Sequence, residues 1–112
     1  MLASNLDKKK FENICIIDTN AKIGSKIKVS GGAKCNITNE LVTASNYLGD
    51  REFVAELLEK FSKNELLAFL NKNAVMPKIN PKIVKGTYFC NSSQDVIDMF
   101  TKLTTHVKKY LN

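Results

Sequence analysis

The residues best suited to chemistry in this chain lie between Asp18 and Asn39. A short apolar run, Ile14-Cys15-Ile16-Ile17, ends in the carboxylate of Asp18. The stretch Lys26-Ile27-Lys28-Val29-Ser30-Gly31-Gly32-Ala33-Lys34-Cys35-Asn36-Ile37-Thr38-Asn39 then sets two adjacent glycines among cations and small polar side chains. An acid at the end of such a strand accepts hydrogen bonds from the hydroxyls of a ribose; the plainer role is a polar strand end. Gly31 and Gly32 permit a positive φ and bring the backbone close to a ligand, or simply make a turn. Lys26 and Lys34 flank them as point charges for a phosphate, without arginine's fork, or as solvated lysines. Ser30, Asn36, Thr38 and Asn39 donate and accept hydrogen bonds, and the two asparagines equally suit capping of local backbone. Cys35 has no cysteine near it in sequence, so packing or ligand contact is favoured over redox chemistry. Together these features describe a nucleotide cradle.

The elements that must position this cradle are readable in outline. Residues 2–9 read as a helix end, with Leu2, Ala3 and Leu6 on one face, broken by Phe11-Glu12-Asn13. Residues 13–18 are a continuous apolar run of strand length, the pattern of a strand buried on both faces of a parallel sheet. The order helix then buried strand is the second half of a βαβ unit. A dinucleotide-binding domain begins with a strand and a Gly-x-Gly-x-x-Gly turn before that helix. No such motif precedes Leu2, so the chain reads as N-terminally incomplete, with an exposed sheet edge beside residues 14–17. Residues 40–49 read as a polar loop. Residues 51–61 carry a helical stripe of Phe53, Val54, Leu57, Leu58 and Phe61. Ser62-Lys63-Asn64-Glu65 is a capping box for a second helix. Pro77 and Pro81 mark an extended stretch, residues 86–90 a short strand, and Ser92 or Ser93 caps a third helix. This divides the chain into residues 1–45, strand plus binding loop, and residues 46–112, a mainly helical continuation.

The segment Ser30-Gly31-Gly32-Ala33-Lys34-Cys35-Asn36-Ile37-Thr38-Asn39 resembles the Ser-Gly-Gly-Gly-Arg-Cys-Asn-x-Thr-Asn signature of a prokaryotic family of NAD(P)-linked, FAD-dependent oxidoreductases, aminoacetone oxidase-like. The likeness is strongest over residues 14–39. It continues more weakly through Tyr47-Leu48 to Gly86-Thr87-Tyr88-Phe89 and the Ser-capped helix. It implies an α/β chain, part of a Rossmann-type, glutathione-reductase-like FAD-binding domain. It implies FAD as cofactor, reduced nicotinamide as electron donor and a small-molecule substrate. The implied cofactor-binding residues are Asp18, Lys26, Ser30, Gly31, Gly32, Lys34, Cys35, Asn36, Thr38 and Asn39. Three positions depart from the pattern: Asp18 stands for glutamate, Ala33 for a third glycine and Lys34 for arginine. If position 33 requires a positive φ, alanine costs about 1 kcal/mol there. No acid–base pair and no metal site is expected, because the hydride chemistry belongs to the flavin.

Bulk properties narrow the rivals. A net charge of +6 favours anionic partners. The lysines are dispersed and Arg51 is the sole arginine, which argues against dedicated nucleic-acid readout. Cys15, Cys35 and Cys90 are odd in number and widely spaced, against a disulfide framework or a zinc site. The absence of an apolar run of about 18 residues or a signal-peptide pattern gives the expectation of a cytoplasmic protein without a membrane span. His106 has no partner motif and reads as a surface residue. Two alternatives stand beside the oxidoreductase: a small basic nucleic-acid-binding module, and the non-catalytic half of a split flavoprotein completed by another polypeptide.

Overall fold

The computed structural model describes residues 1–82 and 85–112. In chain order the elements are α1 (Leu2–Asn5), β1 (Cys15–Asp18), α2 (Ser25–Val29), β2 (Asn36–Asn39), a 3₁₀ turn (Ala44–Asn46), α3 (Arg51–Lys60), α4 (Lys63–Lys72), β3 (Lys78–Ile79), β4 (Thr87–Phe89), α5 (Ser93–Leu103) and β5 (Lys108–Leu111). They form two units. The first joins Met1–Cys35 to Ser92–Asn112, and the second is Asn36–Asn91.

In the first unit β1 and β5 pair in parallel, Cys15 opposite Lys108 and Asp18 opposite Leu111. Helix α5 leads into β5. Ser92 caps it by accepting the Gln94 N–H, as the Ser-rich start predicts, and Val96 and Met99 are buried. At its far end the Thr104 hydroxyl donates to the Phe100 carbonyl at 2.7 Å. Helix α2 packs on α5 through Gly24, whose φ is +79° and whose missing side chain leaves room for Ile97. A parallel strand pair with packed helices is the Rossmann-type α/β class that the sequence implies.

Two expectations for this unit are corrected. The helix predicted over residues 2–9 is confined to Leu2–Asn5. Asp7 ends it locally, its carboxylate accepting the Lys9 N–H at 2.9 Å. The strand predicted to be buried on both faces is half-covered: Cys15 is exposed and Ile17 is 79% exposed. Register places Cys15, Ile17, Lys108 and Tyr110 on one face, and all four are exposed. Among the described residues β1 and β5 pair only with each other, so one face of the pair and the outer edge of each strand lack cover.

In the second unit three short strands form an antiparallel sheet in the order β2-β4-β3, with an irregularity between Asn36 and Thr38. Asp50 caps α3 by accepting the N–H groups of Glu52 and Phe53. The predicted capping box forms at α4: Ser62 accepts the Glu65 N–H, and Glu65 accepts the Ser62 N–H. Leu70, Val75, Phe89 and Cys90 supply buried apolar groups. The helices read over residues 51–61 and from Ser62 onward are present here, and the sheet joins them with β2, where residues up to 39 read as part of a loop. The stripe on α3 is also only partly covered: Val54 and Leu58 are half-buried, while Phe53, Leu57 and Phe61 remain exposed.

The two glycines that open and follow α2 make a contrast in stability. A Cβ at Gly24 would stand 2.8 Å from Ile97 Cγ1, whereas a Cβ at Gly32 meets nothing within 4 Å. Both have positive φ, so both substitutions strain the backbone. Gly32→Ala should cost about 1 kcal/mol. Gly24→Ala adds overpacking and should cost about 2–4 kcal/mol. Urea unfolding of the two variants measures the difference, and equal losses would show that α2 and α5 are not packed at this point.

Candidate nucleotide-binding site

In the first unit Asp18 closes β1 and lines a cleft of about 380 Å³ with Asn20, Gly24 and Lys26. Asp18 Oδ1 accepts the Asn20 backbone N–H at 2.9 Å and the Asn20 side-chain Nδ2 at 2.7 Å. These bonds hold the carboxyl below the usual carboxylate range, and the Lys26 charge adds to the lowering. Desolvation pushes the other way, more strongly than the Lys26 charge pulls, but less than the Asn20 bonds. Oδ2 makes no hydrogen bond among the described residues, so the fixed carboxylate keeps an acceptor for a hydroxyl. Asp18 and Lys26, 8 positions apart in sequence, are thus brought to one cleft.

The motif that reads as one loop is three structures. Lys26 lies on helix α2, Ser30 terminates that helix, and Asn36 to Asn39 form β2. Between them runs a left-handed turn: φ is +57° at Gly31, +61° at Gly32, +68° at Ala33 and +55° at Cys35. Position 33 does take a positive φ, so its alanine is strained. Lys34 N–H donates to the Gly31 carbonyl at 3.2 Å and Cys35 N–H to the Ser30 carbonyl at 3.0 Å. The N–H groups of Gly31, Gly32 and Ala33 have no protein acceptor among the described residues. Three successive unused donors, followed by the exposed Lys34, form a surface suited to an anion. Cys35 is buried, and burial pushes its thiol pKa up, which favours the unreactive protonated form.

The turn is anchored from α5. Ser93 N–H donates to the Ala33 carbonyl at 2.7 Å, and Ser93 Oγ donates to the Lys28 carbonyl at 3.1 Å. The sequence left Ser92 and Ser93 as alternative caps. Ser92 takes that role and Ser93, buried, holds the turn.

In the second unit Asn36, Thr38 and Asn39 line a different cleft, of about 600 Å³, with Leu41, Asn46 and Tyr47. Asn39 is already occupied. Its Nδ2 donates to the Lys85 carbonyl and to Thr87 Oγ1, each at 3.2 Å, and its Oδ1 accepts the Leu41 N–H at 3.0 Å. Asn36 and Thr38 have no such side-chain bonds and remain open to a ligand. The predicted residues therefore divide: Asp18 to Cys35 belong to one unit, Asn36 to Asn39 to the other. Sequence reading passed over Asn20, Gly24 and Ser93. The Asp-x-Asn spacing of Asp18 and Asn20 is a local turn signal that could have exposed the first. Ser93 could not have been found, since its partners lie 60 and more positions away.

Among the described residues no helix is long and apolar enough to cross a membrane. Nor does any group of three or more His, Cys, Asp or Glu side chains stand ready for a metal. The fold and the strand-end acid define a Rossmann-type α/β domain. Residues 1–111 match the model of the HI0933-like protein Rossmann domain, and the chain belongs to that family, which is of FAD-binding flavoprotein type. It is similar to the ribosomal RNA dihydrouridine synthase of Escherichia coli, 32% identical over 88% of this chain and 24% of that protein. It is similar to the protein of the same name from Haemophilus influenzae, 31% identical over 81% of this chain and 22% of that protein. The 3-dehydro-bile acid delta(4,6)-reductase of Clostridium scindens is 40% identical over 50% of this chain and 14% of that protein. The chain therefore spans about a quarter or less of the length of these relatives.

Two measurements check the site's supports. The depressed carboxyl of Asp18 contributes stability above its unfolded pKa, about 3.9, and loses it as pH falls through the lower folded value. Asn20→Ala should move the Asp18 midpoint upward in a carboxyl-detected NMR titration; an unchanged midpoint would mean Asn20 does not hold the carboxylate. Ser93→Ala removes a buried hydroxyl donor and should cost about 1–2 kcal/mol in urea unfolding, with the Lys34 and Cys35 amides, which are bonded within the turn, exchanging faster. Unaltered exchange there would remove the anchoring role.

Proposed function

We propose that this chain supplies FAD-binding elements of a flavoprotein reductase that saturates a carbon–carbon double bond conjugated to a carbonyl. The observation that carries the reading is the turn Gly31-Gly32-Ala33. Its three unused backbone donors, with Lys34 beside them, suit the pyrophosphate of a dinucleotide. Asp18, with its free oxygen, suits the ribose hydroxyls, and Lys26 lines the same cleft as a second cation. Ser30 shapes the turn's entry, and Asn36 and Thr38 offer polar side chains in the second unit. Cys35 and Asn39 act through packing and backbone clipping. FAD, when bound, supplies the hydride, and reduced nicotinamide is the donor that recharges it.

The names of the relatives point to one reaction type. A dihydrouridine is a uridine that has gained two hydrogens across the double bond conjugated to its ring carbonyl. A delta(4,6)-reductase acting on a 3-dehydro substrate saturates double bonds conjugated to a 3-oxo group. Each reaction needs a hydride at one alkene carbon and a proton at the other. For this chain the reading favours uridine in RNA, because the relatives of that name match far more of it. The net charge of +6 suits a polyanionic substrate. The rival of a basic nucleic-acid-binding module is thereby absorbed as a substrate-binding property.

The split-flavoprotein reading keeps one observation of its own. The uncovered face and edge of the β1–β5 pair are where a complementing polypeptide would seat, since parallel sheets are ordinarily covered on both faces.

Titration of the purified chain with FAD, followed by flavin fluorescence, tests the proposal. Saturable binding is expected, weakened about tenfold by Asp18→Ala. No saturation up to about 1 mM FAD would overturn it for this polypeptide, and FAD retention only beside a co-purifying chain would favour the split flavoprotein.

A further inference from the structure

We propose that the cleft beside β2 recognises the imide edge of a pyrimidinedione ring. That edge, carbonyl, N–H, carbonyl, is shared by uracil and by the pyrimidine ring of a flavin. The inference rests on the functional reading above, which brings both rings to this chain as ligands.

The first argument is charge. None of the residues lining this cleft carries a charge, whereas the cleft of the first unit holds Asp18 and Lys26. The second unit has seven of the 17 basic residues and six of the 11 acids, a net charge of +1 against +5 for the first. Its cleft is unsuited to a phosphate and suited to a neutral ring. The size, about 600 Å³, lies within the range of small-molecule sites.

The second argument is hydrogen-bond accounting. Among the polar lining residues, Asn39 has both amide hydrogens committed within the protein. Asn46 has its oxygen committed, accepting the Thr43 N–H and the Thr43 hydroxyl at 2.9 Å each, so its NH₂ remains as a donor. Asn36 makes no side-chain hydrogen bond among the described residues and offers a donor and an acceptor side by side. A carboxamide matches half of an imide edge, donating to a carbonyl and accepting from the ring N–H. A second NH₂ then serves the other carbonyl. Methylation of the ring nitrogen removes the central donor and puts bulk in its place, and the match fails.

The third argument is the apolar wall. Tyr47 is 47% exposed and Leu41 is 75% exposed, both at this cleft. An aromatic ring left open beside unpaired amides is what a planar heterocycle covers by stacking.

The test uses NMR spectra of the 112-residue chain with four probes: uridine, 3-methyluridine, riboflavin and 3-methylriboflavin, the imide N–H being blocked in the methylated member of each pair. The expected result is a shift of the Asn36 and Asn46 side-chain NH₂ signals, with 3-methyluridine about tenfold weaker than uridine or 3-methylriboflavin about tenfold weaker than riboflavin. The pair that shows the preference identifies the source of the ring. Asn36→Leu should abolish that preference, and Tyr47→Leu should weaken both members of the pair. Equal binding within both pairs, shifts confined to the first unit, or no binding by any probe would overturn the assignment. The FAD titration is read separately. Imide discrimination without FAD binding would sink the cofactor reading alone, and FAD binding without discrimination would sink this one alone.

Discussion

The first unit depends on one long-range tie, from the start of α5 to the turn that follows α2. Ser93 meets the Ala33 carbonyl with its backbone N–H and the Lys28 carbonyl with its hydroxyl. The turn needs such a tie because it is unfavourable by itself. Left-handed backbone at Ala33 and Cys35 costs about 1 kcal/mol or more at each residue, and the glycines lose more chain entropy than any other residue would. Local hydrogen bonds from Lys34 and Cys35 offset part of this. The bond from Ser93 adds a contribution that exists only when α5 is docked, so the turn and the α2–α5 packing form together. Gly24, opened to Ile97, is the second point at which that docking is decided.

That coupling explains why the strain lies where it does. A turn built only for chain reversal would place its left-handed residues at glycine. Here an alanine and a buried cysteine share that conformation, and the N–H groups it presents are left without acceptors. Strained backbone that persists because its surroundings over-determine it is a mark of a site. The division of charge follows the same line. The unit that carries the turn, Asp18 and Lys26 also carries nearly all of the net positive charge, while the second unit's cleft is neutral.

Features with a local cause were legible in the sequence. The capping box of Ser62 and Glu65, the serine start of α5 and the strand ending at Asp18 each rest on residues within a few positions of one another. The Rossmann-type class was legible through the apolar run and the glycine motif. What was not legible had a non-local cause. Strands β2, β3 and β5 are two to four residues long, too short to show alternation, and exist through partners far along the chain, whereas β4 falls within the short strand read over residues 86–90. The run of residues 14–17 looks like a two-face-buried strand because its composition is fixed by what a parallel sheet requires, while its exposure depends on which neighbours are present. Asn39 looked like a ligand residue for the same reason: nothing near it in sequence shows that Lys85 and Thr87 already use its amide.

The β1–β5 pair brings these strands of reasoning together. Parallel strands bury both faces when helices cover them, and here α5 belongs to one side of that arrangement while Cys15, Ile17, Lys108 and Tyr110 remain open on one face. Lys108 resolves part of its own exposure by lying 5.0 Å over the Tyr110 ring. Ile17 has no comparable recourse, since a β-branched apolar side chain gains only by being covered. Isoleucine on this strand matches the composition of a covered parallel strand, while the side chain of Ile17 itself is 79% exposed. The acid at the end of that strand is held by Asn20 through bonds that need no such sheet. The orientation of the Asp18 carboxylate is therefore set locally, whereas the strand that carries it depends on a partner more than 90 positions away in sequence, β5.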